Sequence, residues 1–168
     1  MSFLFGRRSI RQYQTAPVSD EIVADLLAAA MAAPSACKKD PWRFVVVRDR
    51  DRLAAIAAVL PNGKMLTSAA VGIAVCGDLG AAHGGELGYL LQDCSAAIEN
   101  LLLAAHALGL GACWLGVYPR RTRIEALTKI LRLPDNVLPV SCVAVGWPAE
   151  KQPARTRFEP GHVHRETW

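Results

Sequence analysis

The sequence predicts amphipathic helices packed on a buried sheet, and three observations carry that reading. From residue 90 to 108, apolar side chains recur at three- and four-residue steps, with Gln92, Asp93, Ser95, Glu99, Asn100 and His106 between them; this is the period of a helix with one wide apolar face. Four short runs, at 43–47, 71–76, 112–115 and 140–147, are rich in β-branched, aromatic or small apolar residues and read as buried strands. Gly and Pro punctuate the joints between them.

Taken in order, the chain begins with a basic, hydroxyl-bearing stretch, RRSIRQY at 7–13. Arg offers forked donors and Ser a hydroxyl, which suit a phosphate, but on its own the stretch is better explained as an ordinary disordered basic N-terminus. Ser19 opens the next helix, with Asp20 and Glu21 in its first turn; Ile22, Val23, Leu26, Leu27, Ala30 and Met31 form its apolar face, and Pro34 ends it. The loop 33–42 is held by Pro34 and Pro41 and leads into the first strand, so it is a candidate ligand wall, with Trp42 as a cap on the core. A surface helix is expected over 49–60, closed by Pro61-Asn62-Gly63.

The second strand follows at 71–76, and then a segment with five glycines and His83, 77–88, is expected to be a mobile loop. The stretch 92–116 is the centre of the design. Its helix ends at Gly109, where a left-handed residue is needed, and Gly111 allows a close turn into the strand 112–115. A helix over 121–131 turns Ile124, Leu127, Ile130 and Leu131 inward. The strand 140–147 is apolar on both faces and belongs in the middle of its sheet. The tail 148–168 has few apolar residues yet ends in Trp168, so it is expected to lie along a partner.

Composition narrows the function. A chain of 168 residues with 52% hydrophobic and 20% charged residues supports one folded domain over 1–168 and excludes a disordered protein. No apolar run is long enough to span a membrane, and no apolar segment follows Arg7 and Arg8 as in a secretory signal, which makes the cytoplasm the expected location. Five scattered cysteines without a Cys-x-x-Cys pair argue against a disulfide framework or a zinc site and read as buried thiols, with Cys37 as a packing thiol. Net charge is only +4, too small for nucleic-acid binding, but its placement is uneven. Arg7, Arg8 and Arg11 lie at one end, and Arg155, Arg157 and Arg165 at the other, a distribution that suggests a bound anion.

Several motifs are absent. Gly109-x-Gly111 follows a helix and lacks a third glycine, so it is no dinucleotide fingerprint; there is no P-loop, no nucleophile elbow and no His-Glu-x-x-His. His162 and His164 stand too isolated for a metal site, and Asp93 and Glu99 fall on different faces of their helix.

Four segments together resemble the FMN-dependent nitroreductase family: RRSIRQY at 7–13, APSACKKDPWRF at 33–44, QDCSAAIENLLLAAHALGLGACWLGVYP at 92–119, and RTRFEPGHVHRETW at 155–168. They come in the family's order and reach from end to end of the chain. The resemblance implies an α+β fold with a central, mainly antiparallel sheet flanked by helices, in an intertwined homodimer with two flavins at the interface and a C-terminal tail that crosses to the partner. It further implies that Arg7, Arg8 and Ser9 hold the FMN phosphate and ribityl chain, with Arg155 and Arg157 closing from the other terminus. Arg11 matches a cation near flavin N1 and the C2 carbonyl. Pro34, Ser35 and Ala36 would come from the other subunit and lie against the isoalloxazine ring, Lys38 stands where the family has a residue that bonds the pyrimidine edge of the flavin, and Leu115 and Gly116 would face N5.

This sequence departs from the family pattern where Lys38 replaces an Asn and Asp40 a Gln. Lys38 can only donate and brings charge, so it is expected either to join Arg11 in stabilising reduced flavin or to pair with Asp40. The implied activity is ping-pong hydride transfer from NADH or NADPH through FMN to an electron-poor acceptor such as a nitroaromatic or quinone. No acid-base constellation is needed, since the flavin carries the chemistry. Alternatives are a specialised dehydrogenase or dehalogenase of the same fold, and a non-catalytic protein that stores flavin or binds another phosphate-bearing ligand.

Overall fold

The computed structural model describes residues 1–168. Nine regular elements follow the chain: α1 (Ser2–Gly6), α2 (Asp20–Met31), β1 (Trp42–Val47), α3 (Arg50–Val59), β2 (Val71–Asp78), α4 (Leu87–Ala107), β3 (Gly111–Gly116), α5 (Arg121–Leu131) and β4 (Val137–Gly146). The strands form one antiparallel sheet in the order β1-β2-β4-β3. The two central strands, β2 and β4, are the runs buried on both faces, as a strand paired on both edges and covered on both sides must be.

The sheet divides the core in two. On one face Val71, Ile73, Val75, Val143 and Val145 pack with Leu26 and Ala30 of α2 and with Leu90, Ile98 and Leu101 of α4. On the other, Val47, Cys142, Ala144 and Leu115 pack with Leu53 and Ile56 of α3 and Leu127 of α5. The period-two alternation of the strands sends successive residues to opposite layers, and the two helix pairs cover them. No helix is long and apolar enough to cross a membrane.

The local signals account for the boundaries. Ser19 accepts from the Ile22 amide at 3.3 Å and Asp49 from the Arg52 amide at 2.8 Å, each capping its helix. Gly109 has φ of +76°, the left-handed ending expected after α4. At Gly111 a Cβ would stand 2.6 Å from Ile10 Cγ2, so glycine is required there for the N-terminal segment to approach β3.

Several expectations are corrected. The glycine-rich segment contains a 3₁₀ turn at His83–Gly85, and α4 follows it directly. Met31 and Leu108, expected inward, are 52% and 39% exposed; Met31 is the last residue of α2 and Leu108 the cap after α4, where the helical period no longer fixes which way a side chain faces. Cys37 is exposed rather than packed; the other four cysteines are buried. Asp93, placed between the apolar positions, is only 4% exposed. Its Oδ1 accepts from the Ala36 amide at 2.9 Å, which ties α4 to the loop after α2.

Candidate functional site

Residues 9–14 run as an extended segment beside β3. The Ile10 amide donates to the Ala112 carbonyl at 3.1 Å, and Gln14 N to the Trp147 carbonyl at 2.9 Å. The chain after β4 pairs with the same segment, with Ala149 N bonded to the Gln12 carbonyl at 2.9 Å, and further on Arg155 N bonds the Phe5 carbonyl at 3.2 Å. The two ends of the sequence therefore meet along one line, and their arginines converge.

A cavity of about 170 Å³ is lined by Arg7, Arg8, Ser9, Arg11, Gln152, Arg155 and Arg157, with no apolar side chain. Arg7 is partly engaged, its Nε 3.5 Å from Glu99. Arg8 has no such relief: its Nε is buried without a hydrogen-bond partner. Desolvation, followed by the charges of Arg155, Arg157 and Arg7, pulls its pKa below the ordinary guanidinium value. A cluster of like charges with an unmet donor at its centre asks for an anion, and forked donors suit a phosphate.

Arg11 also lines a second, larger cavity of about 490 Å³ with Asn62, Lys64, Cys113, Trp114, Leu115, Gly116 and Arg123. At Gly116 a side chain would meet nothing within 4 Å, so the strand end opens onto free space. Burial pushes the Cys113 thiol pKa up, although Arg11 and Ser9 oppose the shift. Cys113 is therefore held as a neutral packing group beside the arginine.

Of the residues singled out in the sequence, the structure brings Arg7, Arg8, Ser9, Arg11, Arg155 and Arg157 to one cavity and Arg11, Leu115 and Gly116 to its neighbour. Pro34, Ser35, Ala36 and Lys38 line neither. Their loop is built stiffly: Cys37, Lys38 and Asp40 all have left-handed backbones, with φ of 50°, 54° and 48°. The Ser35 hydroxyl donates to Asp40 Oδ1 and accepts from the Asp40 amide at 3.1 Å. Asp40 is thus bound to Ser35 and not to Lys38, which removes the Lys38–Asp40 pair, one of the two alternatives for Lys38. Lys64, Asn62 and Arg123 were not anticipated. Nothing local marks Lys64, which follows an ordinary Pro-Asn-Gly turn, but Arg123 opens a helix with the wrong charge and so carried a signal.

The chain matches the nitroreductase family over residues 4–63 and 54–147. It is 43% identical over 171 residues to a protein of Archaeoglobus fulgidus provisionally named NADH dehydrogenase/NAD(P)H nitroreductase, covering all of this chain and 98% of that one. It is 30% identical to the oxygen-insensitive NADPH nitroreductase of Salmonella typhimurium, over 94% of this chain and 69% of that protein. Among solved structures, an FMN-dependent nitroreductase of Clostridium difficile superposes with a TM-score of 0.91 at 27% identity, over 99% of both chains. This chain belongs to the nitroreductase family.

Proposed function

We propose that this protein is an NAD(P)H-dependent FMN oxidoreductase that works as a homodimer and passes hydride by a ping-pong scheme to an electron-poor small molecule such as a nitroaromatic or quinone. The observation that carries the reading is the pair of adjoining cavities. One is an arginine cradle; the other is a larger slot lined by the cations Arg11, Lys64 and Arg123 together with Leu115 and Gly116 at the end of β3. The names of the Salmonella and Clostridium relatives supply the donor and the cofactor.

FMN fits the residues present. Arg8 has a buried donor to give, Arg7, Ser9, Arg155 and Arg157 line the same cavity, and Gly116 puts no side chain of its own in the way of a ring, at a position with nothing within 4 Å of an added Cβ. When bound, the flavin supplies hydride acceptance and donation at N5. The protein's part is position and charge. Arg7, Arg8, Ser9, Arg155 and Arg157 would hold the phosphate and so position the ring. Arg11 and Lys64 place positive charge beside the larger slot, where it favours the extra negative charge of a reduced ring. Leu115 and Gly116 leave one approach open, which the nicotinamide donor and then the acceptor use in turn. The stiff loop at 34–38 lines neither cavity of its own chain; in the homodimer it covers the flavin of the partner subunit, and the exposed tail, with Phe158 and Trp168 in solvent, crosses to that subunit.

The test is the visible spectrum of the purified protein before and after anaerobic addition of NADH and then NADPH. Flavin bands that bleach are expected. Bound flavin that neither donor bleaches would support storage instead, and protein that takes up no FMN would remove the assignment.

A further inference from the structure

Helices α2 and α3 open as the helix dipole favours, with Asp20 and Glu21 in the first turn of one and Asp51 in that of the other. Helix α5 opens the opposite way. Arg120 stands at its cap without a side-chain cap bond, and Arg121 and Arg123 follow with no acid in the first turn. Cations at that end cost about 0.3–1 kcal/mol each. Arg121 is relieved by Glu125, whose Oε1 lies 2.6 Å from its Nε. Arg123 forms no ion pair. Its Nη1 instead donates to the Gly116 carbonyl at 2.9 Å, back across the turn from β3 into α5.

We propose that Arg123 is a positioning residue of the redox site: it clamps the Gly116 peptide at the mouth of the larger cavity and adds a third positive charge to those of Arg11 and Lys64. The inference rests on the FMN reading above. A guanidinium has five donors and no acceptor, and one bond to Gly116 leaves the others free toward the cavity that Arg123 lines. No carboxylate lines that cavity, so nothing in its wall cancels the charge. A cation fixed there stabilises the flavin more after it has gained two electrons than before, and so raises its midpoint potential. The local cost of a basic helix opening is then explained by what the residue does at the site.

The experiment is the midpoint potential of bound FMN, read by dye equilibration, in the wild type, R123Q and R123K, with FMN affinity and melting temperature measured alongside. R123Q is expected to lose tenfold in preference for reduced over oxidised flavin, equal to about 30 mV for a two-electron couple. R123K, which keeps the charge, is expected to hold the wild-type potential. A wild-type potential in R123Q, or an equal fall in both variants, overturns the assignment of charge to Arg123. If the wild type itself binds no FMN, the parent reading fails and this inference falls with it, an outcome distinct from a flavin-loaded R123Q with an unchanged potential.

Discussion

Arg11 lines two cavities, and they differ in what builds them. The smaller is made from the two ends of the sequence and from polar groups alone; the larger is made from the middle of the chain, with Leu115, Met65 and Trp114 among its walls. The first can hold a ligand by charge with little demand on shape, whereas the second has to offer a flat ring a surface and an open side. Binding strength and chemistry should therefore separate, the first residing in the cradle and the second in the slot.

The largest effect that would break this division is loss of the C-terminal half of the cradle. Charge-assisted hydrogen bonds are worth about 1.5–3 kcal/mol each, so the double variant R155A/R157A is expected to weaken FMN binding by roughly 10³-fold. Titration by flavin fluorescence at low and high salt would measure it. The wild-type affinity should fall with ionic strength and the variant's less so, because the removed contacts are the ionic ones. An unchanged affinity would show that the tail arginines do not hold the phosphate.

The slot should answer differently. Gly116→Val puts a branched side chain at the end of β3, where an added Cβ meets nothing within 4 Å, so the fold and the cradle are expected to be left alone. FMN is expected to bind within a few-fold of wild type, while reduction by the nicotinamide donor slows by about 10²-fold, the scale of a displacement near 1 Å at a reacting centre. Stopped-flow reduction of the loaded protein separates the two quantities. Equal losses in binding and reduction would merge the cavities into a single functional unit.

How far the sequence revealed each region follows from the same difference. The two basic termini were visible in the sequence, but a solvated surface accounted for them on composition alone; only the family resemblance gave them a common ligand, and the structure adds that Arg7, Arg8, Arg11, Arg155 and Arg157 line one cavity. The helices and strands were legible from period, and Gly109 and Gly111 from the geometry that only glycine supplies. Lys64 and Arg123 belong to the slot through tertiary neighbours: one comes from the turn after α3, the other from α5. Asp93 was misread for a more local reason. It stands three residues after Leu90 and four before Ala97, squarely on the buried stripe, and its polarity drew attention away from its position. The buried carboxylate then bonds the Ala36 amide, a partner fifty-seven residues away that no window of sequence contains.

The smallest predicted effect concerns the joint between the two cavities. Glu150 accepts from the Arg11 amide at 2.6 Å and the Gln12 amide at 3.2 Å, pinning the backbone of the residue that both cavities share. The Arg11 amide is the main reason its carboxyl lies below the usual range, aided by Gln152, the Gln12 amide and the Arg11 charge. A carboxyl with a lowered folded-state pKa stabilises the protein fully above its unfolded value, near 4.3, and loses that contribution as pH falls through the folded value. E150Q keeps an acceptor but loses the charge. At pH 7 it should cost about 1 kcal/mol or less, given solvent screening, and lower the melting temperature by roughly 2–4 °C. Thermal melts from pH 7 down to pH 3 should show the wild type and E150Q converging below pH 4. A gap that persists to pH 3 would mean that the ionised carboxylate is not what holds Arg11 in place.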